Sequence, residues 1–162
     1  MKQLFIKQKV LKITDHYPVL DENGNETYHV DEDFKFFGKK IHVTKPDGSH
    51  VFTITRELFH LLYRFHAVFN DGKQMMLKQK FQFFHMGIDV VSDDYRLTLE
   101  GDFLSLNFEV FSEGTKVGHI YKKWLSWGDT FTIDVIDPAF GDELLALMIM
   151  VDFIRDQREK KN

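Results

Sequence analysis

The chain contains no cysteine. That excludes a disulfide framework, thiolate catalysis and cysteine-ligated zinc or iron–sulfur centres, and it suits a reducing, cytoplasmic setting. Proline is nearly as scarce, with three in 162 residues. No Pro-, Gly- or Ser-rich linker divides the chain, so one domain over 1–162 is expected. No apolar run approaches the roughly 20 residues that a membrane-spanning helix needs. From Met1 to Ile13 charged and apolar residues alternate, unlike the apolar core of a signal peptide. Lys2 follows Met1 and no cysteine lies at the C-terminus, so lipidation signals are missing too. Positive charge is not in excess: 21 Lys and Arg against 25 Asp and Glu give a net charge of −4. A nucleic-acid partner normally requires a basic field, and none is expected here. The chain has no nucleophile elbow, phosphate loop, dinucleotide glycine pattern or kinase set. The expectation is therefore a protein that is not an enzyme and uses no cofactor.

Seventeen phenylalanines and 43% hydrophobic residues point to an aromatic, sheet-packed core. Turn signals recur at Asp21–Asn25, Pro46–Gly48, Asn70–Gly72, Glu100–Asp102 and Ser112–Gly114. Asn-Gly and Asp-Gly tolerate the positive φ angles of tight hairpins. Between the turns lie strand candidates near 3–13, 17–20, 26–30, 34–44, 49–54, 59–69, 74–82, 87–91, 94–100, 103–111, 115–122 and 129–136. Several alternate cleanly: Leu104, Leu106, Phe108 and Val110 against Ser105, Asn107, Glu109 and Phe111. One buried and one wet face suits an antiparallel sheet. A faint repeat relates Phe34, Phe36, Phe37, Ile41 and Val43 to Phe81, Phe83, Phe84, Ile88 and Val90 at a constant offset.

Near the C-terminus, Leu144 to Val151 reads Leu-Leu-Ala-Leu-Met-Ile-Met-Val, apolar on every side of a helix. Asp142 and Glu143 precede it, and Arg155, Arg158, Lys160 and Lys161 follow, in keeping with the helix dipole. Asp142 is the expected cap. The 17 residues from Asp142 to Arg158 would make a rod about 25 Å long. A helix apolar all round, in a chain otherwise made of strands, must be wrapped by those strands.

The segment from Leu99 to Leu104, then Phe108-Glu109-Val110, Lys122-Lys123-Trp124, Asp129 to Ile133 and finally the apolar helix together resemble the LURP-one-related family, in particular its small bacterial YxjI-type members. The resemblance covers nearly the whole chain and is most specific from about 94 to 154. It implies the fold shared with tubby C-terminal domains and phospholipid scramblases, a twelve-strand antiparallel barrel around a central hydrophobic C-terminal helix. It also implies kinship of function with phosphoinositide-binding tubby domains and membrane-associated scramblases. The cysteine-rich palmitoylation segment of scramblases is missing.

Candidate sites follow from the cations. Lys122, Lys123, Trp124 and Trp127 combine ammonium groups with indoles, as a membrane-interface contact would. The simpler reading of the Trp in that segment is core packing. Arg56, Arg64, Lys73, Lys78 and Lys80 are candidates for a wall patch that binds a phosphate headgroup. Lys78 and Lys80 share one strand face, although a solvated face with acidic partners explains them more simply. Lys39-Lys40 and the cations from Arg155 to Lys161 read as solubility and helix-end charges. His60 and His66 would point the same way on an unbroken strand, yet no compact ligand motif accompanies them, so no metal is expected. Asp21-Glu22-Asn23-Gly24-Asn25 misplaces the glycine of a calcium loop and reads as a hairpin.

The expected fold is mainly β: a closed antiparallel barrel of about twelve strands enclosing a helix near 142–158. A lumen filled by a helix cannot serve as a carrier cavity. The expected function is an intracellular binding module docking an anionic phospholipid or another phosphate-bearing ligand on its outer wall, at most peripheral to the membrane. The alternative is a protein-interaction or regulatory scaffold without a small ligand.

Overall fold

Strands with period-two burial supply nearly all of the architecture. The computed structural model describes residues 1–7, 15–33, 40–57, 61–80, 87–126 and 128–161. Its strands are β1 (Lys2–Lys7), β2 (His16–Leu20), β3 (Glu26–Asp33), β4 (Lys40–Thr44), β5 (His50–Arg56) and β6 (Arg64–Phe69). They continue with β7 (Gln74–Lys80), β8 (Gly87–Val91), β9 (Leu97–Asp102), β10 (Asn107–Ser112), β11 (Thr115–Leu125) and β12 (Gly128–Val135). A 3-10 turn at Pro138–Phe140 leads into one long helix, α1 (Gly141–Lys161).

All twelve strands join one antiparallel sheet in the order β8-β7-β6-β5-β4-β3-β2-β1-β12-β11-β10-β9. The sheet curls until its two edges, β8 and β9, face each other without a ladder between them. The barrel is thus nearly closed, with a seam between two strands adjacent in the chain. Every β2, β4, β6, β8 or β10 is followed by a short connection at the same end, which we call the hairpin end. The tight turns there include Gly48 and Gly72, both at φ +88°, a conformation that glycine adopts without a Cβ clash. Odd-numbered strands finish at the opposite end, which we call the far end. The chain leaves β12 at the hairpin end, so α1 enters there and points towards the far end.

The lumen is packed solid. Leu144 through Val151 are all buried, and Phe52, Phe65, Phe108 and Phe131 surround them from the strands. Gly118 on β11 leaves the room that Leu144 fills: a Cβ there would lie 2.5 Å from a Leu144 methyl. The ring of Phe153 meets Phe65 edge-on at 5.2 Å and Tyr63 at 5.8 Å.

Several expectations shift in detail. The strand expected over 103–111 begins only at Asn107, because Phe103–Leu106 form a turn. Asp102 builds that turn by accepting the Ser105 N–H at 3.1 Å and its hydroxyl at 2.6 Å. The strand expected from 59 begins at Arg64. Asp142 lies within α1 rather than capping it and accepts the Tyr28 hydroxyl at 2.6 Å. Asp137 caps the preceding 3-10 turn through the Ala139 N–H. Arg155 is not a helix-end surface charge: it is 4% exposed and donates to Asp152, 6% exposed, at 2.8 Å. Phe34–Phe37 and Phe81–Phe84 of the repeat lie outside the described residues. Its other members occupy matching places, Ile41 and Val43 on β4, Ile88 and Val90 on β8.

Candidate functional site

The outer wall brings together three of the five expected wall cations. Alternation turns Arg64 on β6 and Lys78 on β7 outward, while Phe65 and Leu77 fill the core. Arg64 stands opposite Lys78, and Lys78 opposite Asp89 of β8. Like charges in direct register repel, and acids on either side offset this. Glu57 approaches Arg64 at 3.9 Å, and Asp89 takes Lys80 at 2.8 Å. His66, the neighbour of Arg64 on the same face, meets Glu57 at 2.5 Å. The row therefore reads acid, cation, cation, acid. It is a balanced strip of half-buried and exposed charges.

The other two cations are elsewhere. Arg56 shares the inward face of β5 with Ile54 and lies at the far mouth, its guanidinium 5.6 Å from the centre of the Phe153 ring. Lys73 sits in the β6–β7 turn at the hairpin end, 3.8 Å from Asp71 and 5.7 Å from the centre of the Tyr95 ring. The five do not form one patch.

At the far end the β11–β12 hairpin extends past its neighbour β10. β10 pairs with β11 only as far as Tyr121, whereas β11 and β12 continue pairing out to Leu125 and Gly128. Lys122, Lys123 and Trp124 occupy that extension. Trp124 is 76% exposed, so the core-packing reading does not hold for it. Lys122 reaches Asp129 at 3.9 Å, and Lys123 has no ion-pair partner among the described residues. Trp127 lies outside the described residues. A second large apolar side chain is bare at this end: Leu61, on the β5–β6 connection, is 100% exposed. The sequence concealed Leu61, because it falls inside a continuous apolar pattern expected to be strand.

At the hairpin end, the first turn of α1 holds two acids. Asp142 takes the Tyr28 hydroxyl and Glu143 the Tyr95 hydroxyl at 2.9 Å. Burial first, then the neighbouring carboxylates, push both tyrosine hydroxyls to higher pKa. Glu143 is also pushed upward, chiefly by burial. The calcium-like stretch at Asp21 is a hairpin turn: its Oδ1 accepts the N–H groups of Asn23 and Asn25, each at 2.9 Å. Among the described residues no three His, Asp or Glu side chains converge as a metal site, and His60 lies outside them. None of the described helices is long and apolar enough to cross a membrane.

A nearly closed, twelve-stranded antiparallel barrel filled by its own C-terminal helix defines a tubby-like class of fold. An X-ray structure of a protein from Arabidopsis thaliana shares it, with a TM-score of 0.60 at 16% identity, covering 93% of this chain and 91% of that one. The sequence model of the LURP-one-related family matches residues 2–152, and the chain belongs to that family. It is also 28% identical over 158 residues to the uncharacterized protein YxjI of Bacillus subtilis (strain 168), covering 95% of this chain and 94% of that protein.

Proposed function

We propose that this protein is a non-enzymatic binding module that docks on anionic phospholipid surfaces through the far end of its barrel. The observation that carries the reading is Trp124, 76% exposed at the tip of a projecting hairpin with Lys122 and Lys123 beside it. An indole in water gains by moving to the headgroup level of a bilayer. Each lysine near an anionic surface adds roughly 1 kcal/mol of attraction. Leu61, bare on another connection at the same end, adds a second apolar contact. The wall cations support docking less well, because Glu57 and Asp89 already offset Arg64, Lys78 and Lys80. Two lysines and one indole give weak binding, as befits a reversible, peripheral attachment.

Vesicle co-flotation tests this. Neutral phosphatidylcholine vesicles are compared with phosphatidylglycerol-rich ones at about 50 and about 500 mM salt, a range that shortens the Debye length severalfold. The wild type should float only with anionic vesicles and only at low salt. Lys122→Glu with Lys123→Glu, or Trp124→Ala, should abolish flotation, whereas Lys78→Glu should leave most of it. Absence of flotation under all conditions would overturn the reading and turn attention to a protein partner. Equal flotation of the tip variants would move the contact elsewhere on the barrel.

A further inference from the structure

Between β8 and β9 the sheet ends on both sides. The two strands are successive in the chain, yet the connection at 92–96 does not close them into a hairpin. Its first residues are bound to β7 instead. The Ser92 hydroxyl donates to the Gln74 carbonyl at 2.5 Å, and Asp94 accepts the Gln74 N–H at 2.8 Å. Every second N–H and C=O of an edge strand points away from its ladder. On β9 that row faces the seam, where no ladder partner meets it among the described residues. We propose that this free edge of β9 pairs with an extended segment of another protein, in which cationic and apolar side chains alternate.

The side chains around the edge select that partner. Thr98, Glu100 and Asp102 alternate along the exposed face of β9. Across the seam β8 turns Asp89 and Val91 outward, and both are exposed. From Gly87 to Ser112, the span of β8 to β10, six acids (Asp89, Asp93, Asp94, Glu100, Asp102 and Glu109) stand against one cation, Arg96. That span carries −5, whereas the whole chain carries −4, so this is the negative side of an otherwise balanced barrel. Lys80 and Lys116 on the flanking strands offset Asp89 and Glu109, at 2.8 Å each, and Arg96 is drawn to Glu113 at 3.7 Å. Glu100, within the edge strand itself, has no ion-pair partner among the described residues.

An acidic edge repels a second copy of itself, a known safeguard against edge-to-edge pairing. The same charge favours a lysine or arginine opposite Glu100, because unlike charges across a strand pair stabilise it and like charges do the reverse. The other face of the edge is apolar. Leu99 on β9 and Val90 on β8 are half-buried and pack against the core, so the inward side chains of an added strand meet carbon. Alternation in the partner follows from the pleat, which sends successive residues to opposite faces. Backbone bonds along the edge then supply affinity, and the alternate side chains supply selectivity. With six residues in β9, the segment that pairs is about 20 Å long.

The probe is the peptide acetyl-Lys-Val-Lys-Thr-Lys-Val-Lys-amide, titrated into the full chain at about 50 mM salt and followed by amide NMR shifts and hydrogen exchange. Saturable binding is expected, with exchange at alternate amides of Leu97–Asp102 slowed about tenfold or more. Charge attraction alone does not move that second readout. A peptide with glutamate in place of every lysine should not bind. One with its central threonine replaced by proline keeps the charge but loses a donor, and should bind severalfold more weakly. Glu100→Lys, at an exposed position, should weaken the lysine peptide about fivefold or more. The two peptide controls leave the protein untouched, so they decide the matter even if that variant disturbs folding. Absence of binding, equal binding of the glutamate or proline peptide, or binding without slower exchange in β9 would overturn the proposal. Unchanged affinity in a folded Glu100→Lys chain would do the same. Protection of β9 that grows with protein concentration and needs no peptide would also overturn it, assigning the edge to a second copy.

Discussion

Glu143 carries a stability cost that depends on pH. Burial raises its pKa in the folded chain, the negative charges of Asp142 and Asp71 add to the rise, and the Tyr95 hydroxyl opposes it. The folded state therefore holds this proton more tightly than the unfolded state. Unfolding releases the proton as pH rises beyond the ordinary carboxylate range, and stability contributed by the protonated group is lost up to the raised folded value. Glu143→Gln should remove that slope. Urea midpoints of both proteins between about pH 4 and 8 check this, with the wild type losing ground relative to the variant as pH increases. Parallel curves would mean that Glu143 stays ionised throughout. At this scale the sequence was readable where the backbone imposes a rule and opaque where a partner does. Gly48 and Gly72 stood out because a tight turn needs their positive φ. Arg155 looked like one of several helix-end cations, since its burial depends on Asp152 one turn back and on the wall around both. Trp124 was misjudged as core for the converse reason: nothing in its neighbours' chemistry says that β11 outruns β10.

Among the elements, the tightest fit of α1 at a glycine is that against β11. Gly118 is opposite the Leu144 side chain, and an added methyl would come within 2.5 and 2.6 Å of its two terminal carbons. Gly118→Ala should therefore destabilise the fold by about 1–3 kcal/mol through overpacking. Leu144→Ala in the same chain should recover part of that, because it removes the atoms that the new methyl strikes. Denaturant unfolding of the two single variants and the double variant gives the coupling directly, and additive losses would refute the contact. Element positions were legible at the turns holding Gly24, Gly48, Gly72 and Gly114, whereas Glu100–Asp102, expected as a turn, is the end of β9 and pairs with β10. They were less so at β10, where Leu104 and Leu106 extend the alternating pattern backwards. There Asp102 and Ser105 fold the backbone into a turn, with Leu106 at φ +51°. The helix was the clearest element of all, since no surface helix tolerates apolar residues on every face.

Over the whole molecule, twelve strands share one core, and α1 supplies its centre. Deleting residues 142–162 should abolish cooperative unfolding altogether, because no other segment can fill the lumen. Circular dichroism and urea titration of the truncated chain would reveal this as loss of a single sharp transition. A truncated chain that unfolds with nearly wild-type stability would contradict the architecture. The barrel and its helix were legible in the sequence, whereas the seam between β8 and β9 was not. Pairing across a barrel is a property of the folded sheet, and nothing in the residues between β8 and β9 marks these neighbours as its unpaired edges. The candidate sites were less legible still. Two ends of different character, a Trp–Lys tip and an end where Asp142 and Glu143 accept tyrosine hydroxyls, emerge only once odd and even strand ends are sorted in space.

The position of α1 after β12 in the chain also bears on how the protein is made. All twelve strands leave the ribosome before the segment that fills them, so until then their apolar faces lack a centre. The barrel can reach its final packing only when synthesis has passed α1.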